Sequence, residues 1–241
     1  RSQPQPRRLS EAKEQGLPYG VVISQFDDAA PTANAELSRP RLFQLLSSLD
    51  SDAPPIALMA YKVLPNGSRQ VLAYLMPGDC CDLHVSLLAE MDHSIQTVTA
   101  CVVATIERGI MEALLERHPT VARALYVAQL IDEGTLRAWI TSMGRRTSLE
   151  RAAHLMCELY LRARISGPPG ETELALPLSQ LMLADSLGMT PVHLNRVLKQ
   201  LRACGAMTSK RGSLRIVDPI LLANIAGFDE NYLHRRLRSA A

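Results

Sequence analysis

The sequence predicts an α+β protein: an N-terminal antiparallel β-roll, a long dimerisation helix and a C-terminal winged helix-turn-helix. Three observations carry that prediction. Residues 60–106 hold short β-prone runs divided by turn signals. Thr120–Ser142 is a helical stretch with apolar residues on two sides. Leu178–Leu201 reads as two short helices around a glycine turn.

Taken in order, residues 1–59 form a divergent segment. Arg1–Arg8 is rich in Pro, Gln and Arg and reads as disordered. Tyr19–Phe26 is strand-like, Arg41–Leu49 suits a short helix, and Asp50–Pro55 suits a loop. The chain opens on Arg, as a fragment or a trimmed sequence would.

Residues 60–118 read as the roll. Ala60–Leu64 and Gln70–Leu75 flank Pro65-Asn66-Gly67-Ser68, a hairpin signal in which Asn66 and Gly67 both accept positive φ. Pro77-Gly78-Asp79 marks a second turn, with Asp79 capping it. Gln96–Ile106 reads as one further strand, and Glu107–Arg117 as a short helix.

The long helix occupies 119–143. Val121, Leu125, Ala128, Thr135 and Trp139 fall at heptad-like spacing and are the candidate dimer seam. Val127, Leu130, Ile131 and Ala138 form a second apolar side, so the helix needs two neighbours. Gly144-Arg145-Arg146 is expected to interrupt it. Thr147 and Glu150 then match a capping box that starts a new helix running to about Ile165.

Residues 144–227 are expected to form the DNA-binding domain. Ser166–Gly170 reads as a loop and Thr172–Leu176 as a strand. Ser179 is an N-cap, Gly188 a left-handed stop, Thr190 a second N-cap, and Pro191 a first helical position. Leu194, Val197, Leu198 and Leu201 form a buried stripe. Val192, His193, Asn195, Arg196, Lys199 and Arg202 face outward. Such a second helix lies in the DNA major groove; an ordinary αα-hairpin is the competing reading. Ala206–Ser209 and Ser213–Val217 flank Lys210-Arg211-Gly212, a basic wing suited to phosphates. Pro219–Ile225 suits a last short helix, and residues 228–241 form a basic tail.

Composition bounds the function. Hydrophobic residues make up 47% and charged residues 21%, as in a globular domain. The net charge of +2 hides an asymmetry: residues 79–133 carry about −6 and residues 190–241 about +6. A basic C-terminal region suits a polyanion. No apolar run approaches the ~20 residues of a membrane helix. With no signal core and an odd cysteine count, the expected place is the cytoplasm.

The motif order resembles the Crp/Fnr family of bacterial transcription regulators over roughly residues 60–227. Leu64-Pro-Asn-Gly-Ser-Arg-Gln70 with Pro77-Gly-Asp79 is similar to the family's mid-roll. Ser179-Gln180, Leu183-Ala-Asp185, Leu187-Gly188 and Thr190-Pro-Val-His-Leu-Asn-Arg196 are similar to its DNA-binding signature. The resemblance implies a homodimer on double-stranded DNA, with RNA polymerase as a further partner and a signal sensed at the roll. Its implied DNA-binding set is Ser179, Gln180, Thr190, Val192, His193, Asn195, Arg196, Lys199, Lys210 and Arg211. Arg196 would contact guanine, and Val192 a thymine methyl.

There are departures. The family's glycine-rich strands upstream of Tyr61 are not visible, so either the N-terminal part is divergent or the roll is incomplete. The Arg-Glu pair of the family's best-known activator is replaced by Pro191 and Val192. Where cyclic-nucleotide binders carry Arg-Ser, this chain has His93-Ser94, so a cyclic nucleotide is not supported and no cofactor is expected. The spacing of Cys80, Cys81, Cys101, Cys157 and Cys204 does not fit the family's iron–sulfur cluster. Asp82, His84 and His93 are weaker as metal ligands than as solvated or structural residues. The alternative function is a ligand-binding or interaction module with a vestigial helix-turn-helix. An enzyme is the weakest reading, since no Ser/His/Asp order, P-loop, GxGxxG or HExxH motif occurs.

Overall fold

The computed structural model describes residues 21–23, 56, 58–76, 78–81, 92–99, 103–106, 108–166, 173–210 and 213–234. The readings for Arg1–Arg8, Arg41–Leu49, Asp82, His84, Arg211 and the tail beyond His234 lie outside these residues. The described part holds three small antiparallel sheets and six α-helices.

The roll consists of two sheets. β1 (Val21–Ile23) lies between β4 (Cys80–Cys81) and β6 (Val103–Thr105). β2 (Leu58–Val63) lies between β3 (Arg69–Leu75) and β5 (Ser94–Thr97). This corrects two expectations. Gln96–Ile106 is not one strand, because β5 and β6 belong to different sheets. A strand from the N-terminal segment takes part in the roll, within the strand-like stretch Tyr19–Phe26.

The β2–β3 turn also differs in detail. Gly67 takes φ +82, but Asn66 does not enter the positive region. Asn66 instead accepts the Ser68 amide on Oδ1 at 3.0 Å. The Gly67 amide donates to the Leu64 carbonyl at 2.9 Å, and the Leu64 amide donates to the Ser68 carbonyl at 2.8 Å. That is a three-residue loop with glycine in its left-handed position. A bulge opposite Ala60/Tyr61 lets Val71 and Tyr74, three residues apart, face the same core. The second turn is as expected: Oδ2 of Asp79 accepts the Met76 amide at 2.8 Å.

Helix α1 (Arg108–Arg117) leads into α2 (Pro119–Arg145), which begins on a proline. α2 runs straight through Gly144. The break falls instead at Arg146, whose ψ of 146 is extended. The cause is the next helix, α3 (Ser148–Ser166), and its capping box. The Thr147 amide donates to Glu150 Oε2 at 2.7 Å, and the Glu150 amide donates to Thr147 Oγ1 at 3.3 Å. These bonds hold the Glu150 carboxyl below the usual range.

The C-terminal part follows: β7 (Glu173–Ala175), α4 (Gln180–Leu187), α5 (Pro191–Ala203), β8 (Met207–Lys210), β9 (Ser213–Ile216) and α6 (Pro219–Ala226), then a 3₁₀ turn, Glu230–Leu233. β9 lies between β7 and β8. One core spans the molecule. Met59, Tyr61, Val71 and Tyr74 of the roll join Trp139 of α2, the inner face of α3, and the helix-turn-helix interior. A smaller cluster of Leu58, Ala60, Leu75 and Ile95 lies elsewhere in the β2–β3–β5 sheet.

The predicted seam on α2 is largely internal, which is a correction. Val121, Thr135 and Trp139 are buried within their own chain, and Leu125 and Ala128 are half-buried. The Trp139 indole donates to both oxygens of Glu158 on α3, at 3.2 and 3.0 Å. It meets Tyr74 edge-on at 6.2 Å. The apolar side chains that α2 exposes are Tyr126, Leu130, Leu136 and Ile140. At about 100° per residue Tyr126 and Leu130 lie opposite the buried set, with Ile140 and Leu136 to one side of them. Heptad spacing identifies a seam but not whether the chain's own core or a partner fills it.

Candidate nucleic-acid interface

The site begins with four caps. Oγ of Ser179 accepts the Met182 amide at 3.1 Å and starts α4. Gly188 ends α4 with φ +58. A side chain there would run into the Met143 methyl. Oγ1 of Thr190 accepts the His193 amide at 3.2 Å, and Pro191 fills the first position of α5. Asp218 caps α6 through the Leu221 amide at 2.9 Å.

These caps set α5 on the core with one side down. Leu194, Val197, Leu198 and Leu201 are buried. Val192 is 67% exposed, and Arg196 and Lys199 are exposed beside it. Asn195 and Arg202 are half-buried on the flanks. His193 is exposed, but Nε2 of its ring lies 2.8 Å from Ser148 Oγ at the start of α3. It therefore has an internal partner that a sequence reading of α5 alone cannot supply. Ser179, Gln180 and Thr190 are exposed at the two helix starts, where amides and partial positive charge favour an anion.

The wing stands beside this surface. Lys210 is the last residue of β8 and pairs in register with Ser213. Arg215 was missed by the sequence reading. The alternation of buried Leu214 and Ile216 turns it outward, and that period-two pattern was the available signal. Arg196 and Lys199 are the exposed cations of the α5 outer face, with Val192 as its apolar element, and Arg215 is an exposed cation on β9.

Two half-buried arginines hold the surface in place. Arg151 of α3 donates to Leu187 O at 2.6 Å, to Met143 O at 3.3 Å and to Arg146 O at 3.4 Å. One guanidinium thus gathers the carbonyl ends of α2 and α4, where helix dipoles favour a cation. Arg146 donates to Ala226 O at 3.1 Å and to Gly227 O at 3.4 Å. Both residues were outside the predicted set.

Elsewhere the geometry suits support rather than chemistry. Glu158 is fully buried; desolvation raises its carboxyl pKa despite Arg162, Tyr232 and Trp139. Burial pushes the Cys80 thiol up to about 11, with Asp79 adding to it. Among the described residues no group of three His, Cys, Asp or Glu could hold a metal ion. No described helix is long and apolar enough to cross a membrane.

The arrangement has known counterparts. Residues 150–225 match the Crp-like helix-turn-helix domain. The nitrogen fixation regulation protein FixK of Bradyrhizobium diazoefficiens is 26% identical over 167 residues, 69% of either chain. The transcriptional activator protein FnrL of Cereibacter sphaeroides is 25% identical over 175 residues, 70% of this chain and 69% of that one. Two further relatives are matched over 60% and 62% of their length. The solved structure of FixK2 from Bradyrhizobium japonicum superposes with a TM-score of 0.61 at 24% identity, covering 73% of this chain and 89% of that one. Residues 150–225 thus carry a Crp-like helix-turn-helix domain, and the chain is similar over about 70% of its length to proteins named as transcription regulators of the FixK and FnrL type.

Proposed function

We propose that the chain acts as a homodimer that reads a pseudo-palindromic DNA site in the cytoplasm, under control of a signal received at the roll. The observation that carries this reading is the outer face of α5, where Val192 and Arg196 stand exposed on a helix capped at its start and buried beneath. Arg196 forms a bidentate contact with guanine O6 and N7, and Val192 packs on a thymine methyl. Lys199, Arg202, Lys210, Arg211 and Arg215 neutralise phosphates. Ser179, Gln180 and Thr190 anchor the backbone through helix starts. Asn195 reaches a base edge or phosphate; His193 orients α5 through Ser148.

The exposed face of α2 supports the dimer, with Tyr126, Leu130, Leu136 and Ile140 packing against a second copy. Two α5 helices then fall about one DNA turn apart, roughly 34 Å. The relatives are named as transcriptional activators and regulators, which favours RNA polymerase as the further partner. The signal is not assigned to a cyclic nucleotide. His93 stands where an arginine would hold its phosphate, and its Nδ1 lies 2.9 Å from the Asp92 carboxylate. A carboxylate at that place repels a phosphate.

Selection from a random duplex pool, followed by a binding titration, tests the reading. Arg196→Ala is expected to lose discrimination at one base pair, at a cost of about 1–3 kcal/mol. Lys199→Ala is expected to weaken all sequences alike and flatten the salt dependence. Identical behaviour of the two variants would remove the assignment of roles.

A further inference from the structure

Strand β3 belongs to the roll, yet it is tied at two points to α4, the first helix of the helix-turn-helix. At one point Nε and Nη2 of Arg69 both donate to Oδ2 of Asp185, at 2.8 and 2.7 Å. The two side chains are only 22% and 18% exposed. The same guanidinium lies over the Tyr61 ring, 5.6 Å from its centroid, and is ordered by it. At the second point the Tyr74 hydroxyl lies 2.5 Å from Ser186 Oγ. Gln70 Nε2 adds a bond to Ser186 O at 3.3 Å.

We propose that Arg69 is a positioning residue for the recognition helix. Through Asp185 it holds α4, and with it the Gly188 turn and α5, in the orientation that presents Val192 and Arg196. A displacement of the β2–β3 hairpin reaches the DNA-binding face by this route. The inference rests on the DNA-binding reading above. Its argument is directional. Apolar packing lets a helix slide on a sheet, whereas two N–H groups meeting one charged oxygen set an angle. Charge is the competing account: Asp185 is a carboxylate on a domain that must approach phosphates, and on that account alone its removal would favour binding.

The test is a titration of the chain with the duplex that selection by the wild type recovers, alongside amide exchange of α4. Charge alone predicts that Asp185→Asn tightens DNA binding. Positioning predicts the reverse: Asp185→Asn and Arg69→Ala each weaken specific binding about fivefold, and the double variant weakens it no further. Amides of α4 exchange faster in each variant. Tyr74→Phe, which removes one hydroxyl and keeps the ring, moves binding and exchange in the same direction. Binding by Asp185→Asn as tight as the wild type or tighter overturns the proposal, as do losses that multiply in the double variant. A wild-type chain with no sequence preference removes the DNA reading instead. The α4 exchange rates then still decide whether Arg69 holds the helix, and unchanged rates in Arg69→Ala end that claim too.

Discussion

His154 shows what burial does to a single group. It lies on α3, stacked 5.6 Å from the Tyr232 ring and 4.9 Å from the Phe228 ring. Burial, assisted by Arg146, brings its pKa down from 6.5 to about 4. The unfolded chain therefore binds a proton between these values that the folded chain refuses. Stability from this group is complete above about pH 6.5, and it falls as pH drops toward about 4. The loss amounts to about 2–3 kcal/mol. Glu158 runs the other way: its raised carboxyl contributes most below the ordinary carboxylate value and less as pH rises. Urea unfolding of wild type and His154→Leu across pH 7 to 4 separates the two. The difference between them is expected to shrink steadily through that window. A constant difference would mean that His154 titrates normally.

Among elements, the helix-turn-helix was the most legible, because its instructions are local. Ser179, Gly188, Thr190 and Pro191 each act within four residues of themselves, and each does what its type predicts. The capping box at Thr147 is local in the same way. What escaped was nonlocal. Arg69 and Asp185 are 116 positions apart, and nothing in either neighbourhood names the other. Gln96–Ile106 looked continuous because Val, Ile and Thr suit either sheet, and only pairing divides them. The α2 seam was misjudged because apolar spacing is the same whether Glu158 or a second chain receives Trp139. Gly134 and Gly144 of α2 separate local from nonlocal control directly. Helix propensity alone makes alanine better than glycine by about 1 kcal/mol at either position. At exposed Gly144 nothing lies within 4 Å of an added methyl, so Gly144→Ala is expected to stabilise by about that amount. At Gly134 the methyl meets the Tyr232 carbonyl oxygen of the 3₁₀ turn. Gly134→Ala is expected to destabilise by about 1–3 kcal/mol, in line with overpacked sites. Thermal unfolding of the two variants checks the sign; a gain at both would show that the turn yields freely.

At the scale of the molecule, α2 has two faces with different tasks. One, with Val121, Thr135 and Trp139, closes the chain's own core; the other exposes Tyr126, Leu130, Leu136 and Ile140 along a rod of 27 residues. Such a stripe, with the exposed Glu133–Arg137 pair within it, is what a second copy of the same helix would cover, and an exposed row of this kind marks an association surface. Ile140, 71% exposed, lies five residues before the end of the helix and closest to the DNA-binding domain. A charge there would be desolvated against its symmetry mate, since each side of a two-fold interface meets the same patch. In the proposed dimer, Ile140→Glu is therefore expected to shift the chain to monomer by light scattering with its circular dichroism unchanged, because the 71% exposed residue stands outside the internal core. The consequence for DNA is larger than the loss of one contact. Two half-sites bound by one linked dimer gain from effective concentration, which raises affinity by about 10²–10⁴ without any new contact. The monomeric variant is expected to lose that factor on a two-half-site duplex while binding a single half-site as the wild type does. Loss on both duplexes alike would place the defect in the DNA-binding domain, and an undisturbed dimer would mean that another surface joins the two copies.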